Sequence, residues 1–192
     1  AGIVTAEDGE RITSVDGLRR EWSIVERARR ERGQYRQFTS NFDLSGTSLD
    51  AEQQHAVSHL LQSRDGVTLF RGAAGTGKTY ALRELVARLE AAGHAVRMAA
   101  PQAQQARALT TEGMPAVTLA RLLNDGDLPL RCVIVVDEAG QIGGRQMEAL
   151  FSLAQRHAAR LILSGDTRQH AAVEASDAMR SLETYSRVRI AE

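Results

Sequence analysis

The chain has 192 residues, of which 43% are hydrophobic and 25% charged, and its 24 basic and 24 acidic residues give a formal net charge of zero. This composition is typical of a soluble globular domain and excludes a disordered or fibrous chain. Zero net charge excludes attraction of nucleic acid over the whole surface, so any DNA site must be a local patch. A single cysteine, Cys132, excludes a disulfide framework and a cysteine metal cluster, which favours a reducing cytoplasm.

Residues 1–48 are predicted to form a small N-terminal segment. Asp8-Gly9, between two short β-type runs, predicts a hairpin. Residues 33–48 lack periodicity and are interpreted as a linker, in which Tyr35 and Phe38 favour packing onto the main domain over stacking on bases.

A helix is predicted between the hairpin and the linker. Thr13 and Asp16 resemble a capping box that opens it, and the pattern runs to about Arg32. The predicted apolar stripe consists of Leu18, Trp22 and Val25. The arginines of the helix alternate with glutamates, which favours ion pairs on a solvated face over contacts with DNA phosphates.

The main domain is predicted over residues 49–192, and it opens on a helix. Asp50 is a natural N-cap, and Gln53 three residues later can close the capping bond. The amide of Gln53 both donates and accepts hydrogen bonds, so it is also a candidate for pairing with the edge of adenine.

A glycine-rich stretch lies between the apolar run 67–70 and residues with helical spacing, and it matches the phosphate-loop pattern G-x-x-x-x-G-K-[ST]. Its residues are Gly72, Ala73, Ala74, Gly75, Thr76, Gly77, Lys78 and Thr79. In such a loop, backbone N–H groups and the N-terminus of the next helix bind phosphate. We expect Lys78, the only lysine of the chain, to reach the β- and γ-phosphates and Thr79 to bind Mg²⁺.

The apolar run from Cys132 to Val136 predicts a strand buried on both faces of a parallel sheet. It ends in Asp137-Glu138, and the carboxyl ends of such strands carry the chemistry of open α/β sheets. We expect Asp137 to hold Mg²⁺ through its water shell and Glu138 to take a proton from an attacking water. A purely structural pair of acids is the alternative.

The remaining elements have weaker signals. Strands are predicted over about 94–100, 161–163 and 188–190. The helix after the phosphate loop is predicted to end near 93, and further helices are predicted over about 102–110, 117–123, 147–154 and 177–183. The polar stretch 164–170 is expected beside the γ-phosphate if the strand over 161–163 neighbours the strand before the phosphate loop and the strand that ends in the acid pair.

Six stretches become informative as an ordered set: 49–53, 72–79, 99–101, Thr118, 137–138 and 165–169. They resemble the Q motif and motifs I, Ia, Ic, II and III of the first RecA-like motor domain of superfamily 1 helicases. Within that superfamily, the chain is most similar to the RecD-like, 5′-to-3′ branch. The helix before the Q motif and the sequence of residues 165–173 are most similar to the helicase part of TraI/TrwC-type conjugative relaxase–helicases, a subgroup of that branch.

The resemblance implies an α/β P-loop NTPase fold, with a RecA-like parallel sheet of order 5-1-4-3-2 and helices on both faces. It implies ATP and Mg²⁺ as cofactors and ATP-driven stepping along single-stranded DNA. It also implies a second RecA-like domain and the conjugation machinery as partners, in a bacterial cytoplasm and away from any membrane. By the same resemblance, Gln53 would read adenine and Gln169 would sense the γ-phosphate, while Pro101, Gln102 and Thr118 would lie along the DNA.

The chain departs from the family pattern in two residues and in its extent. Gln102 stands where the family often has Thr, and His170 where many relatives have Leu. Motifs IV to VI are not among the 192 residues, so we expect a piece of a longer protein whose second domain supplies the arginine finger. Because that finger accounts for roughly three to five orders of magnitude in turnover, the piece alone is expected to hydrolyse ATP poorly.

Two other classes of protein remain as alternatives. One is a non-motor RecA-like docking module. The presence of Lys78, Asp137, Glu138 and Gln169 disfavours it, because a docking module need not keep them. Another P-loop phosphotransferase, such as a nucleotide kinase, is disfavoured by a base next to the metal-binding acid, an arrangement that suits attack by water.

Overall fold

The structure is a computed structural model that describes residues 3–5, 12–72, 77–165, 177–186 and 190–191. Its elements follow in chain order: β1 Ile3–Thr5, β2 Ile12–Ser14, α1 Val15–Arg30, α2 Ala51–Leu61, β3 Val67–Arg71, α3 Lys78–Ala91, β4 Val96–Ala100, α4 Ala103–Thr111, β5 Ala116–Thr118, α5 Leu119–Asp125, β6 Val133–Val136, the 3₁₀ turn Ala139–Gln141, α6 Gly144–Arg156, β7 Arg160–Gly165, α7 Asp177–Tyr185 and β8 Ile190–Ala191.

The main sheet is parallel and has the strand order β5-β4-β6-β7-β3-β8. With β3, β4, β6, β7 and β8 counted as strands one to five, this is the predicted order 5-1-4-3-2, so the fold class is confirmed. The short β5 adds a sixth strand at the edge beside β4. It replaces the first turn of a helix predicted from residue 117, and α5 begins only at Leu119.

Helices cover both faces of the sheet, as the apolar strands require. In β6, Ile134 and Val136 belong to the apolar core on one face, and Val133 and Val135 to the core on the other. Helices α1, α5, α6 and α7 contribute to the first core, and α2, α3 and α4 to the second. This continuous burial explains why the strand is hydrophobic at every position.

The N-terminal hairpin pairs β1 with β2 in antiparallel register, and the predicted turn at Asp8-Gly9 lies outside the described residues. Thr13 lies within β2, so it does not cap α1, which begins only at Val15. A predicted ion pair is present on a solvated face of the helix, where Arg29 meets Glu26 at 3.4 Å.

The buried stripe of α1 differs from the prediction. Val25 is buried together with Ile24 and Ala28, whereas Leu18 is 42% and Trp22 56% exposed. The physical reason is tertiary: α1 packs against α6 and α7, and only the face that carries its later apolar residues meets them.

The segment over residues 33–48 has no regular secondary structure, yet it packs onto the main domain as predicted for its aromatic residues. Phe38 is buried in the core on the α2–α3 face. Arg160, which is itself buried, lies with its guanidinium 3.4 Å from the centre of the Phe38 ring and 5.2 Å from that of Tyr35. The segment is therefore attached along its length.

Arg160 is a buried charged residue that the sequence analysis did not single out. Its guanidinium donates hydrogen bonds to the backbone carbonyls of Asp65, Arg36 and Ser63 at 2.8–3.0 Å. Burial lowers the pKa of Arg160 to about 10, which leaves the group charged at neutral pH. Three carbonyl acceptors and two aromatic faces compensate for the water that the cation loses.

Candidate nucleotide site

The two acids stand where β6 ends, and the local backbone orients them. Asp137 is buried, and its N–H donates to the carbonyl of Ala99 on β4, which holds the residue in line with the sheet. Glu138 has a positive φ of 52°, a left-handed conformation that non-glycine residues adopt at a cost. This conformation redirects the chain from the strand into the 3₁₀ turn.

Lys78 joins the phosphate loop to the acids. Its Nζ lies 3.0 Å from Oε1 of Glu138 and 3.7 Å from Oδ1 of Asp137. The lysine side chain is 10% exposed, so the ion pairs are shielded from solvent. The structure thus brings together the three ionisable residues that the sequence predicted for the site.

Ser164 is a site residue that the sequence analysis placed only within the polar stretch 164–170, expected beside the γ-phosphate, with no contact assigned to it. It is fully buried at the end of β7, and its Oγ donates a hydrogen bond of 2.8 Å to Oδ1 of Asp137. A signal existed in the sequence, because Ser164 is a polar residue directly after the apolar strand predicted to neighbour the acid strand. Its partner could be identified only once the strand order was known.

Gln53 forms the predicted capping box at the start of α2. Its backbone N–H donates to Oδ1 of Asp50 at 2.8 Å, and its Oε1 accepts from the N–H of Asp50 at 3.1 Å. The amide also reaches the phosphate loop, since a Cβ added to Gly77 would lie 2.5 Å from Nε2 of Gln53. Gly77, with a φ of 71°, is therefore the residue that allows this approach.

The donor set at this site suits Mg²⁺ and phosphate. Thr79 stands next to Lys78 in the first turn of α3, and Lys78 reaches both carboxylates, so a hydroxyl and a carboxylate lie at the same end of the sheet. Hydroxyl and carboxylate oxygens are the hard ligands that Mg²⁺ prefers. The helix N-terminus at Gly77 and Lys78 supplies N–H groups and positive charge for an anion.

Several predicted residues lie outside the described part of the chain. Ala73, Ala74, Gly75 and Thr76 of the loop are among them, and so are Gln169 and His170. Gly72 is half-buried directly after β3, at the same end of the sheet as the acids. For the loop, the structure thus describes its two ends.

The three predicted DNA-contacting residues lie at the starts of α4 and α5. Gln102 is the N-cap of α4 and is preceded by Pro101, whereas Thr118 ends β5 and caps α5 by accepting from the N–H of Arg121 at 3.2 Å. Between these helices runs an open groove of about 490 Å³. It is lined by Ala103, Ala106, Arg107, Thr110, Thr111, Ala116, Val117, Thr118 and Arg121. Small, hydroxyl-bearing and basic side chains therefore share one surface.

A family model described as "AAA domain" matches residues 48–192. The chain belongs to the AAA domain family. Its predicted resemblance to RecD-like helicases and to conjugation proteins is confirmed by this match and by the relatives that follow.

Curated relatives are conjugation proteins. The chain is 32% identical over 140 residues to "Probable conjugal transfer protein TraA" of Sinorhizobium fredii, which is 70% of this chain and 13% of the relative. It is 26% identical over 156 residues to "Multifunctional conjugation protein TraI" of Escherichia coli, or 74% of this chain and 9% of the relative. The matched region is thus about a tenth of the length of these relatives. No helix among the described residues is long and apolar enough to cross a membrane.

Proposed function

We propose that this chain is the ATP-binding domain of an ATP-dependent DNA helicase that moves 5′ to 3′ along single-stranded DNA, as part of a conjugative relaxase–helicase. The observation that carries the proposal is the contact of Lys78 with both Glu138 and Asp137. In this proposal, residues 49–192 are the first motor domain and residues 1–48 an appended segment. The family and the names of the relatives support the same assignment.

Each residue has a defined part in ATP hydrolysis. Lys78 turns from the carboxylates to the β- and γ-phosphates, which leaves Asp137 and Thr79 to hold Mg²⁺. The ion supplies charge neutralisation at the phosphates when it is bound. Glu138, released from its lysine partner, becomes the acceptor for the proton of the attacking water.

Two glutamines complete the proposed nucleotide site. Gln53, whose amide lies against Gly77, pairs with the adenine edge. Gln169 senses the γ-phosphate from the stretch after β7, the strand that lies between those of the phosphate loop and the acid pair. Arg71, the last residue of β3, pairs with Glu183 of α7. This ion pair attaches α7 to the end of β3 from which the phosphate loop starts.

Single-stranded DNA is the proposed substrate of the groove between α4 and α5. Thr118 lines the groove, and Pro101 and Gln102 directly precede its lining residue Ala103. Arg107 and Arg121 provide positive charge along it, and Arg121 also pairs with Asp125 at 3.3 Å. Because the chain has no net charge, this local pair of arginines is the kind of patch that phosphate contacts require.

The test is binding and turnover of Mg²⁺·ATP by the 192-residue chain, with and without a single-stranded oligonucleotide. We expect binding of a fluorescent ATP analogue, and slow, DNA-insensitive turnover, because the arginine finger is supplied by another domain. Lys78→Ala should weaken nucleotide binding roughly 10- to 100-fold, the loss expected for charge-assisted hydrogen bonds to phosphate.

Glu138→Gln separates binding from chemistry. It should retain the nucleotide and abolish the residual turnover, while Asp127→Asn, an exposed acid away from the site, should leave both unchanged. Failure of the parent chain to bind nucleotide would favour the docking-module alternative. Transfer of phosphate to a small hydroxyl compound instead of water would favour a kinase.

A further inference from the structure

Three glutamine side chains connect the acid pair to the start of α4. Oε1 of Gln141 accepts one hydrogen bond from Nε2 of Gln102 and another from Nε2 of Gln105, each at 3.0 Å. Oε1 of Gln105 in turn accepts from the backbone N–H of Gln102 at 3.0 Å. We call these three residues the glutamine cluster.

The glutamine cluster is attached directly to the backbone of the catalytic acid. The N–H of Gln141 donates to the carbonyl of Glu138 at 2.9 Å, so the two residues bracket one tight turn. Gly165 of β7 packs against this turn so closely that an added Cβ would lie 3.1 Å from the N of Gly140. A turn so closely packed moves as a unit, because it has no space in which to deform locally.

Two contacts, that of Glu138 with Lys78 and that of Gln102 with Gln141, involve groups that the ligands of the proposed function would also bind. Glu138 is paired with Lys78, and it loses this cation when the lysine binds phosphate instead. Gln102, a proposed DNA contact, donates one of the two N–H bonds of Nε2 to Gln141, so a bond to DNA through the other N–H depends on the orientation that this hydrogen bond fixes. Loss of the Lys78 contact and a change in that orientation would give each ligand a different interaction energy with the two arrangements, which is the requirement for coupling.

The exposure of the cluster argues against a purely structural role. Gln102 and Gln141 are both exposed, where hydrogen bonds to water replace those between side chains at little cost in stability. The hydrogen bond between Gln102 and Gln141 joins residues 39 positions apart in sequence. It connects the start of α4, which follows β4, to the 3₁₀ turn that follows β6. Such a link affects the relative placement of two site elements more than it affects folding.

We propose that Gln141 is a positioning residue that transmits the state of the nucleotide site to the N-terminus of α4 and so to the DNA groove. The inference rests on the proposed function, since it needs nucleotide at Lys78 and DNA at Gln102. In the nucleotide-bound state, the turn carrying Glu138 and Gln141 moves, and the two amide bonds carry that movement to Gln102 and Gln105.

Hydrogen exchange of the 192-residue chain tests this without requiring DNA. Adding a non-hydrolysable ATP analogue with Mg²⁺ should slow exchange in the first turn of α3, at the phosphate site, and change it in the first turn of α4. Gln141→Leu should keep the first effect and lose the second. Gln141→Glu, which keeps an acceptor oxygen for both amide bonds, should restore the second effect. Gln104→Leu, which replaces an exposed glutamine of α4, should behave as the parent.

A second experiment measures the coupling as the change in DNA affinity that nucleotide causes. The Kd of a labelled oligothymidylate should change about fivefold or more between the nucleotide-free and nucleotide-bound parent, the lower end of typical coupling between sites. In Gln141→Leu the two Kd values should agree within about twofold. The nucleotide affinity measured without DNA should be the same in both proteins.

The outcomes separate the inference from the function it rests on. Absence of any protection at α3 in the parent would mean that the proposed function fails. Protection at α3 with no change at α4 in the parent would overturn the inference alone. An α4 response that persists in Gln141→Leu would also overturn it, because the signal would then travel by another route.

Discussion

The hydroxyl of Ser164 is expected to hold Asp137 in the orientation that the metal site requires. Ser164 is fully buried, Asp137 is nearly so, and their hydrogen bond is 2.8 Å long. Ser164→Ala removes this donor and adds no atom, so it causes no clash. The carboxylate then lacks one hydrogen-bond donor in a site with little access to water.

The magnitude follows from the charge and burial of the acceptor. A hydrogen bond to a charged group contributes about 1.5–3 kcal/mol to stability. For a chain of this size, such a loss lowers Tm by roughly 3–12 °C. Removing a residue that orients a metal-binding carboxylate typically weakens metal affinity about 10- to 100-fold.

The assay has two parts. Circular dichroism melting without nucleotide measures the change in Tm, and titration of Mg²⁺ against a fluorescent ATP analogue measures metal affinity. Ser152→Ala is the matched control, because that hydroxyl donates to the carbonyl of Glu148 one turn earlier on an exposed face of α6. We expect its Tm to stay within about 2 °C of the parent, since alanine is a better helix former than serine.

One result would refute the reasoning. If Ser164→Ala has the same Tm as the parent and binds Mg²⁺ equally well, the orientation of Asp137 must come from its other contacts, the backbone bond to Ala99 and the ion pair with Lys78. A variant that is destabilised but keeps its Mg²⁺ affinity would restrict the hydroxyl to a structural role.

Three further predictions concern the core and the N-terminal segment. Arg160→Ala should lower the free energy of unfolding by about 3–5 kcal/mol in urea titrations, because the buried carbonyls of Asp65 and Ser63 and the carbonyl of Arg36 lose their donor. The exposed Arg156→Ala should cost less than about 1 kcal/mol. Ile24→Ala should cost about 2–5 kcal/mol, and Trp22→Ala, at 56% exposure, less than about 1 kcal/mol; equal losses would contradict the packing of α1. Cys132 is fully buried, and burial raises the pKa of its thiol, so a thiol reagent should label it only through unfolding. Nucleotide at 100 times its Kd should slow this labelling by the equivalent of about 2.7 kcal/mol. Fast labelling of the native chain would contradict the burial of Cys132.

Much of the fold followed from local patterns. The strand from Val133 to Val136 is buried on both faces, and its continuous apolar sequence leaves few alternatives in a soluble protein. Asp50 and Gln53 form the predicted capping box, since its three-residue spacing depends only on local helix geometry. Lys78, Asp137 and Glu138 were predicted from their positions beside strand ends, and the parallel sheet brings them together.

Other features depended on which element packs against which. Leu18 and Trp22 have helical spacing, but they are exposed because α6 and α7 meet a different face of α1. Thr118 ends an edge strand because β4 offers it free backbone groups. Periodicity reports that a residue can be buried, and only the neighbouring elements decide whether it is.

The sequence by itself determined the strand and helix that flank the phosphate loop and the position of the acid pair, because each depends on residue types at short, fixed spacings. The class of fold followed from the resemblance that these stretches carry as an ordered set. Only the tertiary structure decided the contacts between distant segments, such as Ser164 with Asp137, Gln141 with Gln102, and Arg160 with the carbonyl of Arg36. The physical reason is that hydrogen bonds between side chains are short and directional. Their partners therefore depend on strand order and on helix placement to within about an ångström, and no local pattern in the chain encodes that placement.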